Sequence, residues 1–176
     1  MRENVERFFE VNHGLLPGPN GEDIWMREMF CVPDAMGEYV TQTGAWKDKF
    51  VELKSYAAKD PSIFQRFKER MSRDGFEGPV QYYHSLAENT MLEDERALCQ
   101  NEQGKRIDVP MLYIGQTGDW VCRTDLMQDA VEAGLVQREN LVEKVVEAGH
   151  WVLYEKPEEI AETIREWLGR NFPVRT

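Results

Sequence analysis

The sequence predicts an α/β protein in which a helical region, residues 1–106, precedes a parallel βαβα unit, residues 107–176. In the first region, apolar residues recur at three- and four-residue steps, which is typical of amphipathic helices. In the second, two short β-branched runs end near glycines, with a helical segment after each. This order predicts two parallel strands joined by a crossover helix.

The first region opens with a loop and a predicted helix. The stretch "HGLLPGPNGED" is dense in glycine and proline, which interrupt regular structure. In "AWKDKFVELKSYAAKD", residues 45–60, the apolar residues are spaced so that they would share one helical face. The residues on that face would be Trp46, Phe50, Leu53 and Ala57.

Two further helices are predicted before the strands. Asp60 is placed to cap the first of them, Pro61 suits its first position, and Gly75 ends it. Its apolar stripe would consist of Ile63, Phe64, Phe67 and Met71. Pro79 then opens the second helix, "PVQYYHSLAENTML".

The character of the sequence changes near Ile107. The run "VPMLYIG", stopped by Gly115, predicts a buried strand covered on both faces. A turn and a helix follow in "GDWVCRTDLMQDAVEAGL", and "LVEKVVEAG" predicts the second strand. The closing helix would place on one face Ile160, Ile164, Trp167 and Leu168.

Charge and hydropathy restrict the kind of partner and compartment. The formal net charge is −11 and the sequence contains no basic stripe, so we expect no nucleic-acid partner, because backbone binding needs clustered Lys and Arg. The N-terminus is charged where a signal peptide would be apolar, and no stretch is long enough to span a bilayer. The sequence predicts a soluble cytoplasmic protein without a membrane partner.

The cysteines and two of the histidines give no sign of a metal site. Cys31, Cys99 and Cys122 lie far apart, and none belongs to a CxxC pair. We therefore expect neither a zinc site nor a disulfide framework, but partly buried thiols in a reducing compartment. His13 and His84 have no partners at ligand spacing.

Two residues that could carry chemistry follow the predicted strands. Asp119 lies just past the first strand and His150 just past the second. Because the carboxyl ends of parallel strands meet at one edge of a sheet, an Asp–His hydrogen bond is expected there. Simpler interpretations stay open: Asp119 is also a common turn residue, and His150 could be a hydrogen-bonded histidine at a strand end.

Three separated motifs resemble one family. "GFEGPVQYYHSL", "VPMLYIGQTGDWV" and "AGHWVLYEKPEEIAETIREWL" occur in the order found in the cap and C-terminal part of epoxide-hydrolase-type α/β-hydrolases. The resemblance implies that Tyr83 is a cap tyrosine that donates to an epoxide oxygen. It also implies that His150 activates water and that Asp119 orients this histidine. From the residues alone, core packing is an equal alternative for Tyr83, beside Val80 and Leu86.

The resemblance covers only part of the family fold. The family's acidic nucleophile on a Gly-x-nucleophile-x-Gly elbow and its HGxP-like loop have no counterpart in this sequence. The resemblance therefore implies a truncated α/β-hydrolase, made of a cap-like region and a piece of the core. It further implies a small organic substrate, such as an epoxide, and no metal or cofactor.

Three functions stay open at this point. The first is hydrolysis with the nucleophile supplied from elsewhere, and the second is an isomerase or cyclase reaction that uses the Asp119–His150 pair. The third is an inactive remnant or interaction subunit. A two-stranded sheet is too small to stand alone, and the strand from Val109 to Ile114 would expose an apolar edge. We expect a homodimer partner or a complementing chain to cover it; a gene model that begins too late is the third alternative.

Overall fold

The computed structural model describes residues 4–173, apart from the side chains of residues 102 and 103, and it mixes helices with two small sheets. The contacts divide the chain into two units, residues 1–90 and 91–176. The predicted boundary at residue 106 marks the end of a cap-like region. A division of the chain by its contacts does not test that boundary, which stays a prediction. No helix among the described residues combines the length and the apolar character needed to cross a bilayer.

The first unit is mainly helical. Its elements, in order, are α1 (Val5–His13), β1 (Gly14–Leu15), α2 (Trp25–Phe30), α3 (Ala35–Thr41), a 3₁₀ turn (Gly44–Trp46), β2 (Glu52–Leu53), α4 (Ser55–Lys59), α5 (Pro61–Asp74) and α6 (Glu77–Glu88). Strands β1 and β2 pair antiparallel, with Gly14 opposite Leu53. The short sheet therefore joins the end of α1 to a segment about forty residues further along the chain.

The core of the first unit forms around Trp25. Its indole N–H donates to the carbonyl oxygens of Glu10 at 2.8 Å and Val11 at 3.0 Å. Its ring meets the rings of Tyr39 and Trp46 edge to face. Because the polar atom of this large aromatic is satisfied inside the core, its burial stabilises the unit without an unpaired donor.

A second cluster holds α5 against α1. Val5, Met71 and Phe76 are buried together, and Phe8 and Phe67 pack on them. The predicted helix over α5 is confirmed: the Asp60 side chain accepts from the N–H of Ser62, Pro61 begins the helix, and Gly75 follows it at φ 77°. The helix predicted from Pro79 is also present, although it begins two residues earlier, at Glu77.

The single helix predicted over residues 45–60 is wrong, although its last part is helical as α4 (Ser55–Lys59). The chain instead turns at Asp48, which has φ 58°, and then extends into β2 to pair with β1. Trp46 packs against the first-unit core, whereas Phe50 is 77% exposed, so the two do not share a helical face. Long-range pairing overrides the local helical spacing here.

The second unit contains the larger sheet. Its elements are α7 (Leu92–Cys99), a 3₁₀ segment (Glu102–Lys105), β3 (Met111–Gln116), α8 (Leu126–Glu132), a 3₁₀ turn (Arg138–Asn140), β4 (Leu141–Val146), α9 (Val152–Glu155) and α10 (Pro157–Asn171). Strands β3 and β4 are parallel and in register from Met111 opposite Leu141 to Gln116 opposite Val146. The predicted parallel βαβ connection is confirmed.

The β3–β4 sheet is less covered than the sequence predicts. The core of this unit consists of Val146, Ala148, Val152 and Ile160, with Ile114 packed on it. Most of β3 is only half-buried, and Val142 and Val145 of β4 are 44% and 55% exposed. The prediction of a strand covered on both faces is therefore wrong within the described residues, where this sheet has two strands.

The closing helix is less buried than its apolar stripe suggests. On α10, Ile160 is buried, but Ile164 and Leu168 are exposed. The spacing of these residues therefore predicts the helix correctly. Of the four, Ile160 in the first turn is the one that is fully buried.

Candidate functional site

The ends of β3 and β4 bring two loops together. Backbone pairing continues past the strands, because the N–H of Thr117 donates to Val146 O at 3.1 Å and that of Gly118 donates to Ala148 O at 2.9 Å. A Cβ at Gly118 would lie 3.0 Å from the Ala148 oxygen, tighter than ordinary contact. A glycine there lets the two loops approach closely, and Asp119 follows it directly.

Asp119 and His150 meet at this junction. His150 Nδ1 lies 2.8 Å from Asp119 Oδ2, and the Asp119 side chain is 2% exposed whereas that of His150 is 29% exposed. An ionised carboxylate can only accept hydrogen bonds, so Nδ1 carries the hydrogen. The hydrogen bond predicted from the sequence is therefore present, and it leaves Nε2 as the basic nitrogen of neutral His150.

The other oxygen of Asp119 shapes the turn. Oδ1 accepts from the backbone N–H groups of Val121 and Cys122, each at 2.9 Å. The turn-residue interpretation and the histidine-orienting interpretation are thus both satisfied, one by each oxygen. Held by two backbone donors, the carboxylate has a fixed position from which to orient His150.

The histidine loop is fixed by its own contacts. The N–H of Gly149 donates to Glu155 Oε2 at 2.9 Å, so the first residues of the loop are tied to the end of α9. The Trp151 ring lies edge to face with the imidazole, with centroids 5.2 Å apart. These contacts restrain the residues immediately before and after His150 in the loop.

A small polar cavity adjoins Asp119. Its volume is about 190 Å³. Its walls are formed by Gln116, Thr117, Asp119, Trp120, Arg123, Thr124 and Asp125. Arg123 pairs with Asp125 beside it, so these two charges neutralise each other and the Asp119 carboxylate is the third charged group of the lining. A cavity of this size has room for a small molecule or a few waters rather than a long substrate.

Cys122 is a neighbour of the Asp119–His150 pair. The sequence does not predict this contact. Its Sγ, one carboxylate oxygen of Asp119 and one ring nitrogen of His150 all lie within 4.8 Å of one another. Partial desolvation of the thiol, and then the negative charge of Asp119, raise the pKa of Cys122. The signal available in the sequence was the three-residue step from Asp119 to Cys122, which one turn brings together. All three cysteines are exposed rather than partly buried as expected.

Tyr83 lies in the first unit, on α6. Its side chain is 66% exposed, and its ring stands edge to face with Tyr82 at 5.7 Å. Leu86 on the same helix is 61% exposed. The core-packing interpretation of Tyr83 is therefore wrong, and its role toward a substrate stays a prediction.

The remaining histidines lie outside the site. His13 is 7% exposed in the first unit, with Nδ1 2.9 Å from the hydroxyl of Tyr56, and His84 is exposed on α6.

Comparison with known proteins gives one informative likeness. No protein-family model matches the chain. The chain is 27% identical over 187 aligned residues to a Neurospora crassa protein named epoxide hydrolase srdG. The alignment covers 96% of this chain but 53% of that protein, so the chain spans about half the length of this relative. The two are distantly related.

Proposed function

We propose that the chain carries the water-activating part of a hydrolase of the epoxide hydrolase type. The observation that carries this proposal is the 2.8 Å hydrogen bond between His150 Nδ1 and Asp119 Oδ2, at the carboxyl ends of two parallel strands. The distant relationship to a protein named as an epoxide hydrolase supports the same reaction class. Small organic epoxides or esters are the proposed substrates.

The proposed chemistry runs in two steps. A carboxylate nucleophile opens the epoxide and forms an alkyl ester; the Tyr83 hydroxyl donates a hydrogen bond to the epoxide oxygen, which takes up a proton from solvent as the ring opens. Water then attacks the ester carbonyl, giving its proton to Nε2 of His150. The Asp119 carboxylate stabilises the resulting imidazolium without itself taking the proton. Collapse of the intermediate transfers that proton from His150 to the leaving alcohol oxygen and releases the diol. The regenerated carboxyl group then loses its proton to solvent, which restores the nucleophile.

The burial of the pair suits this division of roles. Asp119 is almost fully covered and held by two backbone donors, so it keeps its orientation through the reaction. His150 is partly exposed, so water can reach its free nitrogen. We propose that the nucleophile belongs to polypeptide outside this sequence, since the Gly-x-nucleophile-x-Gly elbow that would carry it is absent from these residues.

We also propose that another polypeptide covers the β3–β4 sheet, either a second copy of the chain or a complementing segment. Partly buried β3 and the exposed Val142 and Val145 support this proposal, because apolar strand surface without cover favours association. Sedimentation velocity of the purified chain tests it. We expect a dimer or larger species, and a monomer at all concentrations would leave only the complementing segment.

Turnover in ¹⁸O-water tests the proposed reaction. The chain is assayed in chelator with fluorogenic epoxides and esters, alone and with a separately expressed nucleophile-bearing half of an epoxide hydrolase. We expect labelled product in at least one condition and a loss of about 100-fold or more with His150→Ala. His84→Ala, an exposed histidine on α6, is the matched control and should retain activity.

Two results would contradict the proposal. One is labelled product that survives His150→Ala, and the other is no hydrolysis by folded protein in either condition. Rearranged product without ¹⁸O would favour the isomerase or cyclase alternative instead.

A further inference from the structure

Asp119 and two neighbouring side chains each offer one donor atom of a kind that borderline metals bind. The thiol of Cys122, the carboxylate of Asp119 and the imidazole of His150 present S, O and N atoms within 4.8 Å of one another. Among the described residues, this is the group of three such donors that the structure brings together. We propose that these residues bind one Zn²⁺ or Co²⁺ ion.

The ligand chemistry selects this class of cation. Thiolate and imidazole suit zinc and cobalt, whereas magnesium and calcium prefer oxygen ligands alone. One carboxylate and one thiolate together balance the two charges of the ion, with neutral His150 as the third ligand. Coordination replaces the thiol proton of Cys122 with the metal, as at other cysteine-bound zinc ions.

The observed geometry is close to what a tetrahedral ion needs. Zinc bonds of about 2.0–2.3 Å set ligand atoms about 3.3–3.8 Å apart. The widest separation in the group, which is at most 4.8 Å, must therefore shorten by no more than about 1 Å, and His150 Nδ1 and Asp119 Oδ2, now 2.8 Å apart, must move apart. Cys122 is exposed and His150 is partly exposed, and rotation of these two side chains can supply the movement. Asp119 stays in place because its Oδ1 is held by two backbone donors.

The metal would use the oxygen that now holds His150. Asp119 Oδ2 accepts from His150 Nδ1 in the metal-free protein, and it is released for the ion when the imidazole turns to coordinate. The backbone N–H groups of Val121 and Cys122 then support the ligand from behind, as partners of metal-binding carboxylates do. Three protein ligands leave a fourth position for water or a small anion.

This inference goes beyond the proposed hydrolytic role and does not depend on it. A bound ion occupies both the carboxylate oxygen and the imidazole, so metal binding and water activation by the Asp119–His150 pair exclude each other. Zinc would accordingly inhibit any hydrolysis that relies on this pair.

Cobalt titration of the metal-free chain tests the site without any substrate. We expect one equivalent of Co²⁺ to give the intense near-ultraviolet band of a thiolate ligand and the visible bands of a tetrahedral ion, both displaced by Zn²⁺. Cys122→Ser should abolish the thiolate band, and His150→Ala and Asp119→Asn should each weaken binding by about tenfold or more. Cys31→Ser and Cys99→Ser alter the other two exposed thiols and should leave the spectrum unchanged.

The outcomes separate this site from the proposed reaction. A folded chain that gives no thiolate band, or a band that persists in Cys122→Ser, overturns the metal site whatever the hydrolysis assay gives. Because that assay is run in chelator and this titration without substrate, failure of one leaves the other result intact.

Discussion

His150 Nδ1 lies 2.8 Å from Asp119 Oδ2, and the same carboxylate accepts through Oδ1 from two backbone N–H groups at 2.9 Å. One buried side chain therefore fixes both the turn after β3 and the orientation of a histidine 31 residues further along the chain. The two functions of Asp119 can be separated by substitution, because an asparagine keeps an accepting oxygen for the turn but presents an amide N–H₂ to the imidazole.

The first prediction concerns the tautomer of His150. In the wild-type chain we expect neutral His150 to carry its hydrogen on Nδ1, since Asp119 can only accept there. In Asp119→Asn the amide donates to Nδ1, so the hydrogen should move to Nε2. Two-bond ¹⁵N–¹H correlation spectra of the ring distinguish the two forms. His84, exposed on α6, is the internal control, and a wild-type His150 protonated on Nε2 would contradict the assigned hydrogen bond.

The second prediction concerns the stability of the turn. Asp119→Ala leaves the N–H groups of Val121 and Cys122 without their acceptor, and we expect it to lower the free energy of unfolding by about 2–3 kcal/mol. Asp119→Asn should cost clearly less, because its oxygen can still accept from both. Urea unfolding measures the difference.

The control for this comparison is Asp125→Ala, which removes an exposed carboxylate from the same loop that pairs with Arg123 at the surface. We expect little change, since exposed ion pairs contribute little. Equal losses for Asp119→Ala and Asp119→Asn would show that the backbone hydrogen bonds do not stabilise the turn.

The third prediction concerns the pH dependence of folding. Burial, and then the positive charge of Lys54, lower the pKa of His13 from 6.5 to about 4. The unfolded chain therefore takes up this proton at a higher pH than the folded chain. Stability from His13 is fully present above pH 6.5 and is lost as the pH falls toward 4, by about 2 kcal/mol between pH 7 and pH 5.

Unfolding measured at several pH values checks this sign and size. His13→Gln should flatten the profile between pH 7 and pH 5, whereas His84→Gln, at an exposed position, should leave it unchanged. A wild-type slope that persists in His13→Gln would place the titration on other groups.

Elements whose signals lie close together in the chain could be predicted from the sequence. The cap at Asp60, Pro61 at the first position and Gly75 at the end bound α5 within a few residues of where the structure has it. The parallel β3–β4 pair was equally accessible, because strand, helix and strand in succession restrict the connection to one kind. From that pairing the meeting of Asp119 and His150 followed.

Features that depend on distant contacts could not be predicted in this way. Residues 45–60 have helical spacing, but Glu52–Leu53 pair with Gly14–Leu15. No local sequence pattern indicates that pairing. The position of Cys122 beside His150 could not be predicted for a related reason. Its approach to His150 requires the turn that Asp119 forms and the closeness of the two strand ends, whereas counting cysteines tests only spacing along the chain.

The last prediction concerns the packing of Gly14 against Trp25. A Cβ at residue 14 would lie 2.4 Å from Trp25 Nε1 and 2.7 Å from Glu10 O, which are the two atoms of the 2.8 Å hydrogen bond that anchors the indole. Gly14→Ala must therefore displace the ring or the backbone, and we expect a loss of about 2–4 kcal/mol from overpacking and the weakened hydrogen bond.

Gly37→Ala is the matched control for this change. A Cβ at Gly37, on α3 of the same unit, meets nothing within 4 Å, so the substitution should leave stability unchanged or raise it by about 0.5–1 kcal/mol through helix propensity. Urea unfolding followed by tryptophan fluorescence measures both variants and reports on the environment of the indole. Because both substitutions add the same methyl group, a loss confined to residue 14 isolates the contact with Trp25, and equal effects at the two sites would refute the packing role of Gly14.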